Sequence, residues 1–242
     1  KLGDDTYNPP HEKIIQATIA AWQKMGADGS IMPLVRDIYQ KLCAKYNGMV
    51  SIEDFQRNLF LGLGHVLTWG LRAGETAQGT WGWWSQAHDY PVINGLAKVK
   101  NGTGRISVRA LDPFYTIMAN RVKAHGWNLN PQGEIDTDAF ILVGHKTARH
   151  KYNTLAMGAF MRALGWTTIK KSHELRKYSG SQIYMRYSPY EAQAWCRHFS
   201  VEITEDYYST YVETFKPADV TTMTARWATL TPAAPMLRVV NE

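Results

Sequence analysis

Val92-Ile93-Asn94-Gly95-Leu96-Ala97-Lys98-Val99-Lys100-Asn101-Gly102-Thr103-Gly104-Arg105-Ile106-Ser107-Val108-Arg109-Ala110-Leu111 is the stretch on which the architecture turns. Val92 to Val99 and Gly104 to Leu111 are short and rich in Val and Ile, and Lys100 to Gly104 separates them. The pair reads as a β-hairpin closed by a turn containing Asn-Gly, a dipeptide that tolerates the positive φ such turns need. Thr80 to Gln86, rich in Trp and cut off by Asp89-Tyr90-Pro91, adds one more strand. A small antiparallel sheet of about three strands therefore interrupts the chain.

On both sides of that sheet the rhythm is helical. Ile14, Ile15, Ile19 and Trp22 recur at helical spacing between His11 and Met25, and Asp28-Gly29-Ser30 breaks the segment. Ile31 to Tyr46 resumes it with Leu34, Ile38 and Leu42, and Asn47-Gly48 closes it. Ser51 with Asp54 before an apolar run marks a capped helix start, running to about Trp69. After Asp112-Pro113 the spacing predicts helices over Phe114 to His125, Lys151 to Leu164, Ser172 to Arg186, Ser188 to Arg197 and Ile203 to Glu213. Asn128 to Asp138 reads as a loop, and Thr221 to Leu230 as a further short helix. The fold class is mainly α with a small three-stranded antiparallel β-sheet, an α+β arrangement. Residues 1–10 read as a linker or tail, 11–212 as the working domain and 213–242 as a C-terminal tail.

Composition narrows the function classes. In 242 residues, nine Trp and 45% apolar content do not belong to a disordered coil. The longest apolar run, Leu59 to Leu71, is short and holds His65, which argues against a membrane span. Two cysteines, Cys43 and Cys196, make no disulfide framework and point to a reducing compartment. The Lys1 start suggests a piece of a longer chain. A net charge of +6 permits a nucleic-acid partner without requiring one.

Common catalytic templates are absent: there is no Walker loop, GxGxxG, HExxH, GxSxG or CxxC. His145 and His150 lie five apart without a supporting ligand pattern, so they read as surface or hydrogen-bonded histidines rather than a zinc site. Asn101-Gly102-Thr103 matches a glycosylation sequon but reads as the hairpin turn. Trp81, Trp83 and Trp84 read as core packing rather than a base-stacking platform.

What remains is an ordered set of basic groups followed by a tyrosine. Gly70-Leu71-Arg72-Ala73-Gly74-Glu75 lies between an apolar helix and the first strand, and Lys100 sits in the hairpin turn. His173-Glu174-Leu175-Arg176 places an imidazole and a guanidinium on one helix face. His198 follows a helix, and Tyr207 comes nine residues later in Ile203-Thr204-Glu205-Asp206-Tyr207-Tyr208. This order resembles the tyrosine recombinase (phage integrase) family. Gly70 to Glu75 is similar to its first box, Gly-Leu-Arg-x-x-Glu, and Lys100 with the basic strand after it to its hairpin lysine. Gly165 to Arg176 is similar to its second box, His-x-Leu-Arg. Trp195-Cys196-Arg197-His198 departs from the family's Leu-Gly-His, while the spacing from His198 to Tyr207 is kept. The resemblance covers roughly Ser51 to Val212.

The resemblance implies a catalytic domain of the DNA breaking-rejoining enzyme fold, acting on double-stranded DNA. Arg72 and Arg176 would grip the non-bridging oxygens of a phosphodiester with planar forks that lysine does not reproduce. Tyr207 would attack to form a 3′-phosphotyrosine, with His173 as base, Lys100 protonating the departing 5′ oxygen, and His198 donating to a non-bridging oxygen. Arg105 and Lys177 would help bind DNA, and with Arg72, Lys100 and Arg176 they should converge on one concavity. Glu53, Asp54, Glu202, Glu205 and Asp206 should lie elsewhere or rim it. Lys98 competes with Lys100, Tyr208 and Tyr211 with Tyr207, and Trp195 with His198 through its indole N–H. No metal and no cofactor is implied. Implied partners are a homotetramer on DNA and accessory DNA-bending proteins, with a cytoplasmic, nucleoid-associated location. Docking of the tail on a neighbouring protomer and packing on its own domain both stay open. Two alternatives use the same sequence: a telomere resolvase or type IB topoisomerase-like enzyme, and a non-catalytic DNA-binding protein with a degenerate recombinase fold.

Overall fold

Ser51 starts the helix around which the molecule is built. Its hydroxyl accepts the N–H of Asp54 at 3.1 Å, satisfying a donor that the first helical turn leaves open. In the computed structural model, which describes residues 12–27, 31–87, 90–99, 102–112, 114–198 and 200–205, eleven labelled elements follow in chain order. They are α1 (Glu12–Ala27), α2 (Met32–Cys43), α3 (Ile52–Trp69), α4 (Ala73–Thr76), β1 (Trp84–Ala87), β2 (Tyr90–Val99), β3 (Gly102–Arg109), α5 (Phe114–His125), α6 (Asn153–Ala163), α7 (Lys171–Arg186) and α8 (Pro189–Cys196). Every residue of α3 from Asn58 to Trp69 is buried. A helix buried on all sides needs partners on all sides, and α3 packs against α1, α2, α5, α6 and α7.

The spacing read in α1 does the expected work. Ile15, Ile19, Trp22 and Met25 form one buried stripe. The Trp22 indole stacks on Phe60 at 5.1 Å and donates to the Phe60 carbonyl at 2.9 Å. Trp166, before α7, donates to Thr18 Oγ1 at 2.7 Å and ties the second half of the chain to α1. Both indoles thus bury a large apolar surface while keeping their one polar atom bonded.

The sheet is antiparallel in the order β1-β2-β3. Register pairs Ile93 with Val108 and Ala97 with Gly104. Ile93, Ala97, Ile106 and Val108 face the core, while Asn94, Leu96, Lys98, Arg105 and Ser107 are exposed on the other side. That alternation is the period of a half-buried antiparallel sheet. Pairing runs to Val99 and Gly102, so β3 begins two residues earlier than Gly104.

Further boundaries differ from the sequence reading: Tyr90 and Pro91, read as part of a separator, open β2 and pair with Ala87 and Gln86. The Trp-rich stretch is extended only over Trp84–Ala87, because Trp81–Trp83 makes a 3-10 turn. Its N–H groups are taken by the loop, with Trp81 donating to Ala139 O at 3.0 Å and Gly82 to Thr137 O at 2.8 Å. The Lys151 to Leu164 segment instead starts with a π-turn over Ala148–Tyr152 that leads into α6. The tryptophans pack inward as expected. Trp84 lies against Trp69 at 5.1 Å and Trp81 at 5.2 Å, and its indole donates to His65 Nε2 at 3.3 Å. Residues 201–205 are helical. The expected tail 1–10, the helix beyond Glu205 and the helix over Thr221 to Leu230 lie outside the described residues. Among the described residues no helix is long and apolar enough to cross a membrane.

Candidate active site

The site begins where α3 stops. Gly70 takes φ +57, and a Cβ there would meet the Trp195 ring at 2.4 Å. Backbone handedness and close packing therefore both require glycine. The chain then extends through Leu71 to Arg72, the N-cap of α4. Glu75 reaches back in a capping box: Oε2 accepts the Arg72 backbone N–H at 2.7 Å, and Oε1 accepts from Arg72 Nη1 at 3.1 Å. Glu75 is buried, whereas the Arg72 side chain is 50% exposed.

Helix α7 carries the next two groups. Arg176 is 2% exposed and donates to the Gly70 carbonyl at 2.7 Å and to the Cys196 carbonyl. It therefore links the end of α3 to the end of α8. His173 lies one turn earlier on the same helix. Burial pushes its imidazole down to about 4, and Lys177, Arg176, Lys170 and Arg72 push the same way. His198, just beyond α8, has Nδ1 at 3.1 Å from Thr204 Oγ1. It is also held near 4, first by burial and then by Arg176, Arg72, His173 and Arg197. Arg72, His173, Arg176 and His198 thus act on one another across three separate chain segments. Both imidazoles are neutral at pH 7, because a proton would add charge to a half-buried cationic cluster.

Other expected residues fall differently. Lys177 is 7% exposed and ion-paired with Glu174 at 3.1 Å. Arg105 is exposed on β3, opposite Leu96. Lys98 is exposed on β2, with its backbone N–H and C=O both bonded to the Gln78 amide, at 2.9 and 3.1 Å. Trp195 is buried and its indole donates to the Arg109 carbonyl at 3.0 Å, which engages the donor its alternate role needs. Of the cations expected to converge, Arg176 and Lys177 are buried, Arg72 is half-exposed and Arg105 is exposed. Lys100, Tyr207, Tyr208, Tyr211 and Asp206 lie outside the described residues. Glu53 and Asp54 sit in the first turn of α3, about 25 Å of helix away from Gly70. Glu202 and Glu205 are exposed. His145 Nε2 is 2.9 Å from the Gly48 carbonyl, a hydrogen-bonded surface histidine as read.

Sequence reasoning missed Arg197. It occupies the position where the family's third box has glycine, and it adopts φ +52 there. Its guanidinium donates to Glu75 Oε2 at 2.6 Å, Gly70 O at 3.2 Å and Trp195 O at 3.2 Å. Burial pushes it down to about 10, against the upward pull of Glu75. The signal was present as the departure from Leu-Gly-His, but only the fold brings Arg197 to Glu75, 122 positions away in sequence.

This arrangement of helices around a small sheet is the fold of the tyrosine recombinase catalytic domain. It is similar to the XerH site-specific recombinase bound to a palindromic difH substrate in a post-cleavage complex, with a TM-score of 0.54 and 12% identity over 91% of this chain. A pre-cleavage complex of XerH with difH gives a TM-score of 0.53, also at 12% identity over 91% of this chain. The chain spans about half the length of those XerH chains, 53% and 54%. No protein-family model and no curated protein sequence matches it.

Proposed function

We propose that this chain is the catalytic domain of a site-specific DNA recombinase that cuts and rejoins duplex DNA through a 3′-phosphotyrosine link, without metal or ATP. The observation carrying the proposal is the meeting of Arg72, His173, Arg176 and His198 in one cationic cluster within a recombinase fold. Attack by a phenol on a phosphodiester places extra negative charge on the non-bridging oxygens. Fixed guanidiniums answer that charge without reorganising, and the Gly70 and Cys196 carbonyls fix Arg176. Neutral His173 can accept the Tyr207 proton, which an imidazolium could not do. The new P–O bond to tyrosine replaces the bond to the 5′ oxygen, which leaves with a proton from Lys100. His198 donates to a non-bridging oxygen from Nε2 when Thr204 donates to Nδ1. Reversal by a new 5′ hydroxyl rejoins the strand, so the bond energy stays in the phosphotyrosine.

Assembly as a tetramer on DNA, with the 213–242 tail docked in cis or in trans, belongs to the same proposal. The test is a nicked suicide duplex carrying the cognate site, incubated with protein and separated on denaturing gels. A covalent adduct is expected, lost in Tyr207→Phe and kept in Tyr208→Phe and Tyr211→Phe, and unaffected by EDTA. An adduct lost only in Tyr211→Phe moves the nucleophile. DNA binding with no adduct under any condition favours the non-catalytic reading. Relaxation of supercoils or closure of hairpin ends, with no strand exchange, favours the topoisomerase or resolvase reading.

A further inference from the structure

Among the described residues, Arg197 alone of the non-glycines has left-handed backbone, at φ +52. Glycine takes that conformation freely and arginine does not, so the side chain must return something for the strain. The guanidinium does not face out: the side chain is 17% exposed and reaches Glu75 and the Gly70 carbonyl. Its Nε is buried without a hydrogen-bond partner, which adds to the cost.

Two of its contacts are shared with the arginines of the cluster. Glu75 holds Arg72 through Oε1 and Arg197 through Oε2. The Gly70 carbonyl accepts from Arg176 at 2.7 Å and from Arg197 at 3.2 Å. Arg197 therefore connects to Arg72 through a carboxylate and to Arg176 through a carbonyl. The charge count matters more. Without Arg197, the buried Glu75 carboxylate would have Arg72 as its counter-ion in this trio. A buried charge stripped of one partner pulls the remaining one in strongly, and Arg72 would then be committed to Glu75. With Arg197 at 2.6 Å, the carboxylate is balanced from the protein side. Half-exposed Arg72 keeps its attraction for an anion arriving from outside.

We propose that Arg197 is a positioning residue that neutralises Glu75 and so releases Arg72, beside Arg176, to grip a phosphate. The proposal rests on reading Arg72 and Arg176 as phosphate-binding and adds to it the group that sets their strength.

Inorganic phosphate is titrated into the full chain while the His173 and His198 imidazole resonances are followed by NMR, with melting temperature recorded for each variant. Arg197→Gly removes the charge and relieves the backbone, so it folds and binds phosphate about tenfold more weakly. Adding Glu75→Gln to Arg197→Gly removes the competing carboxylate and brings binding back to within about threefold of the parent. Arg197→Asn, which also tolerates left-handed backbone, repeats the loss without added chain freedom. A folded Arg197→Gly that binds phosphate like the parent overturns the proposal, as does a double variant no better than the single one. If neither neutral variant folds, Arg197→Lys carries the test: retained binding supports the role, and a tenfold loss overturns it. Adduct formation by the parent on DNA reports separately on the recombinase reading, because the phosphate titration needs no cleavage.

Discussion

At the scale of single residues, the cations of the candidate site differ in how tightly they are tethered. Arg176 is buried with carbonyl acceptors at the ends of two helices, so its charge is held in a fixed place. Lysine keeps the charge but loses the planar fork and both tethers. Arg176→Lys should lower adduct formation by about 100-fold while duplex binding changes little, measured by suicide-substrate kinetics and anisotropy. Equal cleavage rates would remove Arg176 from the chemistry. The histidines give a pH test at the same scale. His173 and His198 sit near 4 because burial and neighbouring cations disfavour their protonated forms. Their imidazole resonances should titrate near pH 4 in the free chain and move upward when phosphate binds, since an anion offsets the arginines. The residue types at Arg72, His173, Arg176 and His198 were legible in the sequence because each sits in a short local pattern. Glu75 as the carboxylate shared by Arg72 and Arg197 was not legible, because that bond spans 122 positions.

Elements carry the next level. The C-cap of α3 is where backbone shape and site geometry coincide, since Gly70 both turns the chain and receives the Trp195 ring. Gly70→Ala should cost about 2 kcal/mol from left-handed strain and overpacking, read as a fall of several degrees in melting temperature. It should also weaken the carbonyl tether of Arg176 and lower adduct formation. The exposed hairpin face offers the opposite kind of test. Arg105→Ala removes an exposed cation from β3. It should leave melting unchanged, weaken duplex binding for all sequences alike and reduce the salt slope by about one. Helix and strand existence followed from periodicity, and the Ser51 cap and the Phe114 to His125 helix fall where their residues place them. Boundaries failed where distant backbone intervened. The 3-10 turn at Trp81–Trp83 exists because a loop more than 50 positions later takes its N–H groups.

For the whole molecule, three buried or half-buried imidazoles set a common pH response. His65, His173 and His198 are each held near 4 in the folded protein, against about 6.5 in an unfolded chain. Between those values the unfolded chain binds protons the folded one refuses. Stability is therefore full above pH 6.5 and is lost as pH falls toward 4. Asp112, raised by burial, works in the opposite sense and offsets part of the loss. The urea midpoint should drop from pH 7 to pH 4.5, and a flat midpoint would mean these imidazoles are not desolvated as described.

The amino-acid order alone determined the class of fold, since helical spacing and one Asn-Gly hairpin are local signals, each written within about 20 residues. It also supplied the order of the basic boxes. The tertiary structure alone decided which of those cations are buried and which exposed. It buried Lys177 beside Glu174, and it placed Arg197 against Glu75. Burial and charge pairing depend on which segments meet around α3, and that meeting is fixed by packing over long sequence separations rather than by any neighbourhood in the chain.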